Sequence, residues 1–218
     1  MPGAVKGKRP YNSPRRIEQA AATRREILEA AQRLFERDGF AATTMAAIAE
    51  EAGVALKTVY VAFETKSGVL RALWNMLLRG DLEDTPVIER AAFRDLLAEP
   101  SPERQLKLNA RTSRLVKLRL GSIANVIRTA APLDPDIDAL WNRILSEYRG
   151  SQREIVKSLA AKKALKRGLG VERAADILWT INHPDVWQLL IRDRGWSPKQ
   201  YEQWCADIAC SQLLGTRA

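Results

Sequence analysis

From Thr23 onward the apolar positions recur with the spacing of helix faces. Ile27, Ala30, Ala31, Leu34 and Phe35 fall at i, i+3, i+4, i+7 and i+8, the stripe of an amphipathic helix. Thr23, with Glu26 three residues later, forms a candidate capping box. The spacing therefore predicts a helix that starts at Thr23 and is closed by Gly39 in a left-handed conformation. A shorter face follows in Met45, Ile48, Ala49 and Ala52, with Thr43 or Thr44 as its cap and Gly53 as its stop. A third short helix is predicted near 55–62. A fourth begins after Thr65 and carries Val69, Leu70, Leu73, Trp74, Leu77 and Leu78 to about Arg79. No proline lies between Pro14 and Pro86 to interrupt this run.

Beyond Gly80 the remaining prolines and glycines punctuate longer segments. Helices are expected at 87–98, 102–130 with a break at Gly121, 135–164, 171–182, 184–194 and 198–214. Ser101-Pro102, His183-Pro184 and Ser197-Pro198 each place proline at a first helical position behind a capping residue. No stretch alternates with a period of two long enough to form a strand. The chain reads as all-α: a basic flexible arm over 1–22, a unit of short helices over 23–79 that includes the linking fourth helix, and a larger helical bundle over 80–218.

Charge changes that picture at one end. The chain of 218 residues has 35 Lys and Arg against 26 Asp and Glu, a net charge of +9. Residues 1–25 alone hold Lys6, Lys8, Arg9, Arg15, Arg16, Arg24 and Arg25 against Glu18, a net +6. A basic arm of this kind points to a polyanionic partner, a solubilising tail being the plainer alternative. The single His excludes a multi-histidine metal site. The two cysteines, Cys205 and Cys210, lie about 140° apart around a helix axis, which suits neither one metal ion nor an intrahelical disulfide. No glycine-rich nucleotide loop, nucleophile elbow or Cys/His cluster occurs, so an enzyme is not expected, nor a metal or other cofactor. The basic N-terminus lacks an apolar segment behind it and no apolar run is long enough to span a bilayer, so neither export nor membrane insertion is expected and the protein is placed in the cytoplasm.

Two short helices joined by a tight turn at a glycine and braced by a longer preceding helix make a helix-turn-helix. The segment TRREILEAAQRLFERDGFAATTMAAIAEEAGVALKTVYVAFETKSGVLRAL, Thr23 to Leu73, resembles the DNA-binding domain of the TetR family of transcriptional regulators. The resemblance implies double-stranded DNA with a palindromic operator as partner. It implies that Phe40 and Thr44 form the turn and a phosphate-contacting cap, and that Gly53 is the turn glycine. Lys57, Thr58 and Tyr60 would contact bases or phosphates from the recognition helix, and Lys66 would reach a phosphate. Arg9, Arg15 and Arg16 become candidates for minor-groove or phosphate contact from the arm. This chain departs from the family at Ala55, where a Ser or Thr cap is usual, at Leu56, Val61 and Ala62, where polar or basic residues are common, and at Ser67 and Gly68, where acidic residues are common. The apolar Leu56 and Val61 keep a second possibility open, a helical dimeric interaction protein that retains the fold without specific DNA binding.

The stretches LDPDIDALW and ADILWTINHPDVWQLLIRDRGWSPKQYEQW also resemble effector domains of that family. This implies a homodimer that pairs the last two helices, with Trp187, Leu190, Ile191, Tyr201, Trp204 and Ile208 at the interface. It also implies a cavity for an unidentified small-molecule effector, walled by Trp74, Trp141, Tyr148 and Trp179. The whole would be a repressor released from its operator by that molecule. Arg104, Lys107, Arg111, Arg114 and Lys117 recur at three- and four-residue steps and are expected on a solvated face, with an anionic ligand or flanking DNA as the alternative. His183, before Pro184, is expected to cap or pack rather than to act as a base.

Overall fold

Residues 14–79 and 91–215 are described by the computed structural model. Among them the regular structure is helical, with a single isolated bridge between Leu165 and Leu214, and no helix is long and apolar enough to cross a membrane. The chain divides into two units, residues 1–73 and 74–218.

In the first unit, helix α1 (Pro14–Ala42) begins nine residues before Thr23, which becomes an interior residue rather than a cap. The expected flexible arm is corrected accordingly, because 14–22 are helical. Arg, Glu, Gln and Ala in that stretch are among the strongest helix formers, and they extend the helix although Ile17 remains 58% exposed. Gly39 interrupts α1 with a positive φ of 78°, as expected, but its ψ of 174° is extended rather than left-handed helical. Helix α2 (Met45–Glu51) follows, with the Thr44 hydroxyl accepting the Ala47 N–H at 3.1 Å. Helix α3 (Leu56–Phe63) starts at Ala55 with no side-chain cap, and helix α4 (Lys66–Arg79) starts behind Thr65, whose hydroxyl accepts the Gly68 N–H at 2.9 Å.

The core of this unit is the predicted stripe. Ile27, Ala30, Ala31 and Phe35 of α1 are fully buried, as are Ile48 of α2, Val59 of α3 and Val69, Leu70 and Leu73 of α4. Two cations lock the frame. Arg24 donates to the Ala62 carbonyl at 2.6 Å, and its guanidinium lies over the Phe63 ring at 4.1 Å. Lys66 donates to the Phe40 and Thr43 carbonyls at 2.7 and 2.8 Å, and its ammonium lies 4.3 Å from the centre of the Phe40 ring. Gly68 has a packing reason as well. A Cβ there would lie 2.2 Å from the Phe63 carbonyl oxygen, a backbone atom that cannot swing aside.

The second unit contains α5 (Ala91–Ala98), α6 (Pro102–Ala130), α7 (Pro135–Ala161), α8 (Val171–Ile181), α9 (Pro184–Trp187) and α10 (Pro198–Leu213). The three Ser-Pro and His-Pro caps form as read. The Ser101 hydroxyl accepts the Arg104 N–H, His183 Nδ1 accepts the Asp185 N–H at 3.1 Å, and Ser197 with Gln200 completes a capping box. Burial lowers the His183 pKa, which favours the neutral imidazole that this cap requires. The break expected at Gly121 is absent, since α6 is continuous there. The glycine instead admits Trp187, whose Nε1 would stand 3.5 Å from an added Cβ. After α9 the chain widens into a π-helical segment, Gln188–Asp193, and the Trp196 N–H reaches the Leu190 carbonyl at 2.9 Å. The unit's core gathers Leu106, Ile155, Leu159, Leu178, Trp187 and Tyr201 from α6 to α10. Polar links cross it: Asn109 to Gln152 at 3.1 Å, Gln105 to Ser158 at 3.0 Å, and a largely buried Arg114–Glu202 ion pair.

Two glycines provide opposite tests of this packing. Gly68→Ala is expected to destabilise the protein by about 1–3 kcal/mol, the usual range for forcing atoms into a filled site. Gly150→Ala, on an exposed and uncrowded stretch of α7, is expected to stabilise by about 0.5–1 kcal/mol through helix propensity. Urea denaturation followed by circular dichroism separates the two.

Candidate nucleic-acid interface and cavity

The outer face of α3 is set by what its inner face must do. Val59 and Phe63 turn inward to the core, which leaves Leu56, Lys57, Thr58, Tyr60 and Val61 exposed together, Tyr60 at 48% and Val61 at 78%. Thr44, at the start of α2, is exposed and already holds one free N–H of that helix end. A short protruding helix of this size fits the major groove, and a preceding helix start suits a phosphate oxygen. Lys57 is the cation on that face, and the exposed apolar surface of Leu56 and Val61 suits thymine methyl groups.

Lys66 is not placed as expected. Its ammonium is occupied by the Phe40 and Thr43 carbonyls, so it closes the end of α1 instead of standing ready for a phosphate. The reason is local: the turn at Gly39 leaves carbonyls without helical partners, and a lysine at the first position of α4 comes within reach of them. Arg16 is exposed on the first turns of α1 and Arg15 lies on the same helix, whereas Arg9 lies outside the described residues. Arg24, one of the basic residues of the N-terminal segment, is exposed and also serves as the brace between α1 and α3.

Within the second unit a cavity of about 460 Å³ is enclosed by the end of α4, by α5, α6 and α7, and by α9. Trp74 and Tyr148 line it as expected. Trp141 and Trp179 do not, and Trp179 instead packs edge-on to His183 with centroids 4.6 Å apart. Their places are taken by Phe93 and by Trp187, which was expected at a dimer interface but is 7% exposed and belongs to the cavity wall. Tyr201, expected at the same interface, is fully buried in the unit's own core. Leu190, Ile191, Trp204 and Ile208 pack on that core but keep part of their surface outside it.

Lys117 also departs from its expected place. Arg104, Lys107 and Arg111 are on the solvated face, with Arg104 beside Glu99 and Lys107 beside Glu103. Lys117 lines the cavity, its Nζ donating to the Ser113 hydroxyl at 2.6 Å. Steps of three and four drift around a helix. At 100° per residue Lys117 is about 140° from Arg104 but only about 40° from Ser113, and that arithmetic was the available signal. Burial pushes the Lys117 ammonium down to about 7, and it pushes the Tyr148 phenol opposite it up. The buried Cys205 thiol is pushed up to about 11, which makes it a poor nucleophile.

A family profile described as "Bacterial regulatory proteins, tetR family" matches residues 27–73. The HTH-type transcriptional regulator TtgR of Pseudomonas putida is 37% identical over 105 residues, 45% of this chain, and the match spans about half of that relative's length, 49%. The probable HTH-type transcriptional regulator ArpR, also of Pseudomonas putida, is 31% identical over 170 residues, covering 72% of this chain and 75% of the relative. The crystal structure of NalD, the secondary repressor of the MexAB-OprM multidrug efflux pump in Pseudomonas aeruginosa, shares the fold with a TM-score of 0.68 at 18% identity, covering 92% of this chain and 100% of NalD. The helix-turn-helix built from α2 and α3, its match over residues 27–73 and the ArpR likeness across most of both chains lead to one conclusion: this chain belongs to the TetR family of bacterial transcriptional regulators.

Proposed function

We propose that this protein is a cytoplasmic repressor that binds a palindromic operator as a homodimer and is released from it by a small molecule. The observation that carries the reading is α4. It is one continuous helix whose first residue, Lys66, holds the end of α1, and whose later residues Trp74 and Leu78 wall the cavity. A 14-residue helix is about 20 Å long, and a tilt of about 5° moves its far end by almost 2 Å. That displacement exceeds what a hydrogen bond with donor and acceptor about 3 Å apart tolerates. A compound pressed against Trp74 therefore has a lever on the pair of short helices, and by linkage DNA weakens ligand binding by the same factor. NalD's description as a repressor supports the same direction of control.

In the complex, Lys57, Thr58 and Tyr60 reach the DNA from α3, Thr44 takes a phosphate, and Arg9, Arg15 and Arg16 add charge from the N-terminal segment. The dimer uses Leu190, Ile191, Trp204 and Ile208, while Trp187 and Tyr201 stay in the protomer. A two-fold dimer sets its recognition helices one DNA turn apart, about 34–36 Å.

Gel-shift titrations of the full chain test the DNA reading. Specific affinity is expected to fall about a thousandfold or more between about 50 and 200 mM salt, the behaviour of roughly 6 to 10 neutralised phosphates. Lys57→Ala should weaken all duplexes and flatten the salt slope by about one unit, and Thr58→Ala should change the preference among sites. Lys66→Met should leave the slope unchanged and lower stability instead. A flat salt response with no site preference would favour the interaction-protein reading. The dimer has its own check: Trp204→Asp together with Ile208→Asp should sediment as a monomer with its helical circular dichroism intact, and persistence of the dimer would place the interface elsewhere.

A further inference from the structure

The geometry points to an effector of one chemical class: we propose that the cavity takes an apolar small molecule bearing a single acidic group, and that Lys117 binds that group. This rests on the reading of the cavity as the effector site and goes beyond it by naming the ligand's chemistry. The wall of the cavity is mostly apolar, with Trp74, Phe93, Leu120, Ala124, Ile144 and Trp187. Its volume of about 460 Å³ falls in the range that encloses a drug-sized compound. Such a wall gains by burying hydrocarbon, and its polar groups decide which hydrocarbon.

The other charged groups of the wall, and one pair of amides, are engaged within the protein. Asn109 and Gln152 bond to each other at 3.1 Å and ask nothing of a ligand. Arg128, the other cation of the wall, lies 3.5 Å from Asp185 and donates to Asn125 at 3.0 Å. Glu147 of the wall stands near Arg143, and Glu154 pairs with Lys157. Lys117 differs from all of these. Its partners are the Ser113 hydroxyl and the rings of Tyr148 and Tyr201, whose centres lie 5.5 and 5.4 Å from Nζ, and among the described residues no carboxylate is within ion-pair distance of it. Glu202 of α10 is held by Arg114 and Lys199.

An ammonium withdrawn from water without a counter-ion is unfavourable, and a leucine or methionine in its place would pack the wall at no such cost. The cavity that Lys117 lines gives an anion that restores the balance a way to reach it. The depressed pKa of Lys117 agrees with this, since burial takes it to about 7 and a bound anion would raise it again. The other titratable groups facing the amine are Tyr148 from α7, Tyr201 and Cys205 from α10, and His183 beside α9. Burial raises the first three well above neutrality and lowers His183, so none of them titrates just above pH 7.

Two fluorescent probes that share a ring system isolate the charge: anilinonaphthalenesulfonate, an anion at all working pH values, and its uncharged parent N-phenylnaphthylamine. Titrated into the full-length protein, both should bind, with the sulfonate tighter at low pH. Its affinity should fall by up to about tenfold per pH unit as pH rises above about 7, because the free amine loses the proton that the complex must regain. Lys117→Met should weaken the sulfonate by about tenfold or more and remove its pH dependence, while the parent stays within about twofold. Lys117→Arg should keep the preference for the anion and lose the pH slope, since a guanidinium stays charged throughout. Ala124→Trp, which fills the cavity, should abolish both. If Lys117→Met retains the sulfonate preference and its pH slope, the assignment to Lys117 is overturned. If neither probe binds, or both survive Ala124→Trp, the reading of the cavity as an effector site falls, and the ligand class with it.

Discussion

The closure of one helix end by one ammonium governs the geometry of the N-terminal unit. At Gly39 the backbone leaves the helical region, and the carbonyls of Phe40 and Thr43 lose their helical partners. Lys66 supplies hydrogen bonds to both and lays its charge over the Phe40 ring. Unpaired buried carbonyls would cost about 1–3 kcal/mol each, so the arrangement is strongly preferred over its alternatives. With the turn fixed, Thr43 is buried and its hydroxyl returns to the Gly39 carbonyl, which puts Thr44 where it caps α2. The turn at Gly53 then delivers α3, and Arg24 holds the far end of α3 through the Ala62 carbonyl. Arg24, counted with the basic N-terminal segment, and Lys66, which the family resemblance assigned to a phosphate, are thus structural clamps, and the exposed face of α3 is left with Lys57 as its basic residue.

In the C-terminal unit the governing fact is a space left unfilled. Protein interiors pack about as densely as organic crystals, so a cavity of this size forfeits contacts that larger side chains would have made. Its walls are held rigid around it. Gly121 admits the Trp187 indole, Asn109 and Gln152 tie α6 to α7, and the Arg114–Glu202 pair ties α6 to α10. The widened turn after α9 and the His183 cap fix the chain on either side of Trp187. A neutral imidazole is needed at that cap, and burial of His183 favours it, so the same desolvation that depresses Lys117 also preserves the wall.

Most of the fold was legible in the order of residues, because a 3.6-residue period, Pro after a capping residue and Gly after a stripe are local rules. They placed α2, α3, α4, α6, α8 and α10 to within a few residues and identified Ile27, Ala30, Leu34, Leu70 and Leu73 as core. The resemblance to the TetR family, rather than these rules, singled out Thr44, Lys57, Thr58 and Tyr60, and all four are exposed. The rules failed at the start of α1, where strong helix formers without a packing stripe carried the helix back to Pro14, and at Gly121, where glycine serves close packing rather than a break. What only the tertiary structure decided is which long-range partner each polar or aromatic group meets. Lys66 reaches a carbonyl 26 positions back in sequence, Lys117 turns inward from a basic face, and Trp187 and Tyr201 are consumed in the protomer while Trp141 and Trp179 stay off the cavity wall. Periodicity fixes a residue's angle on its own helix, but the identity of the surface that meets that angle depends on how distant helices cross, and no local spacing encodes it.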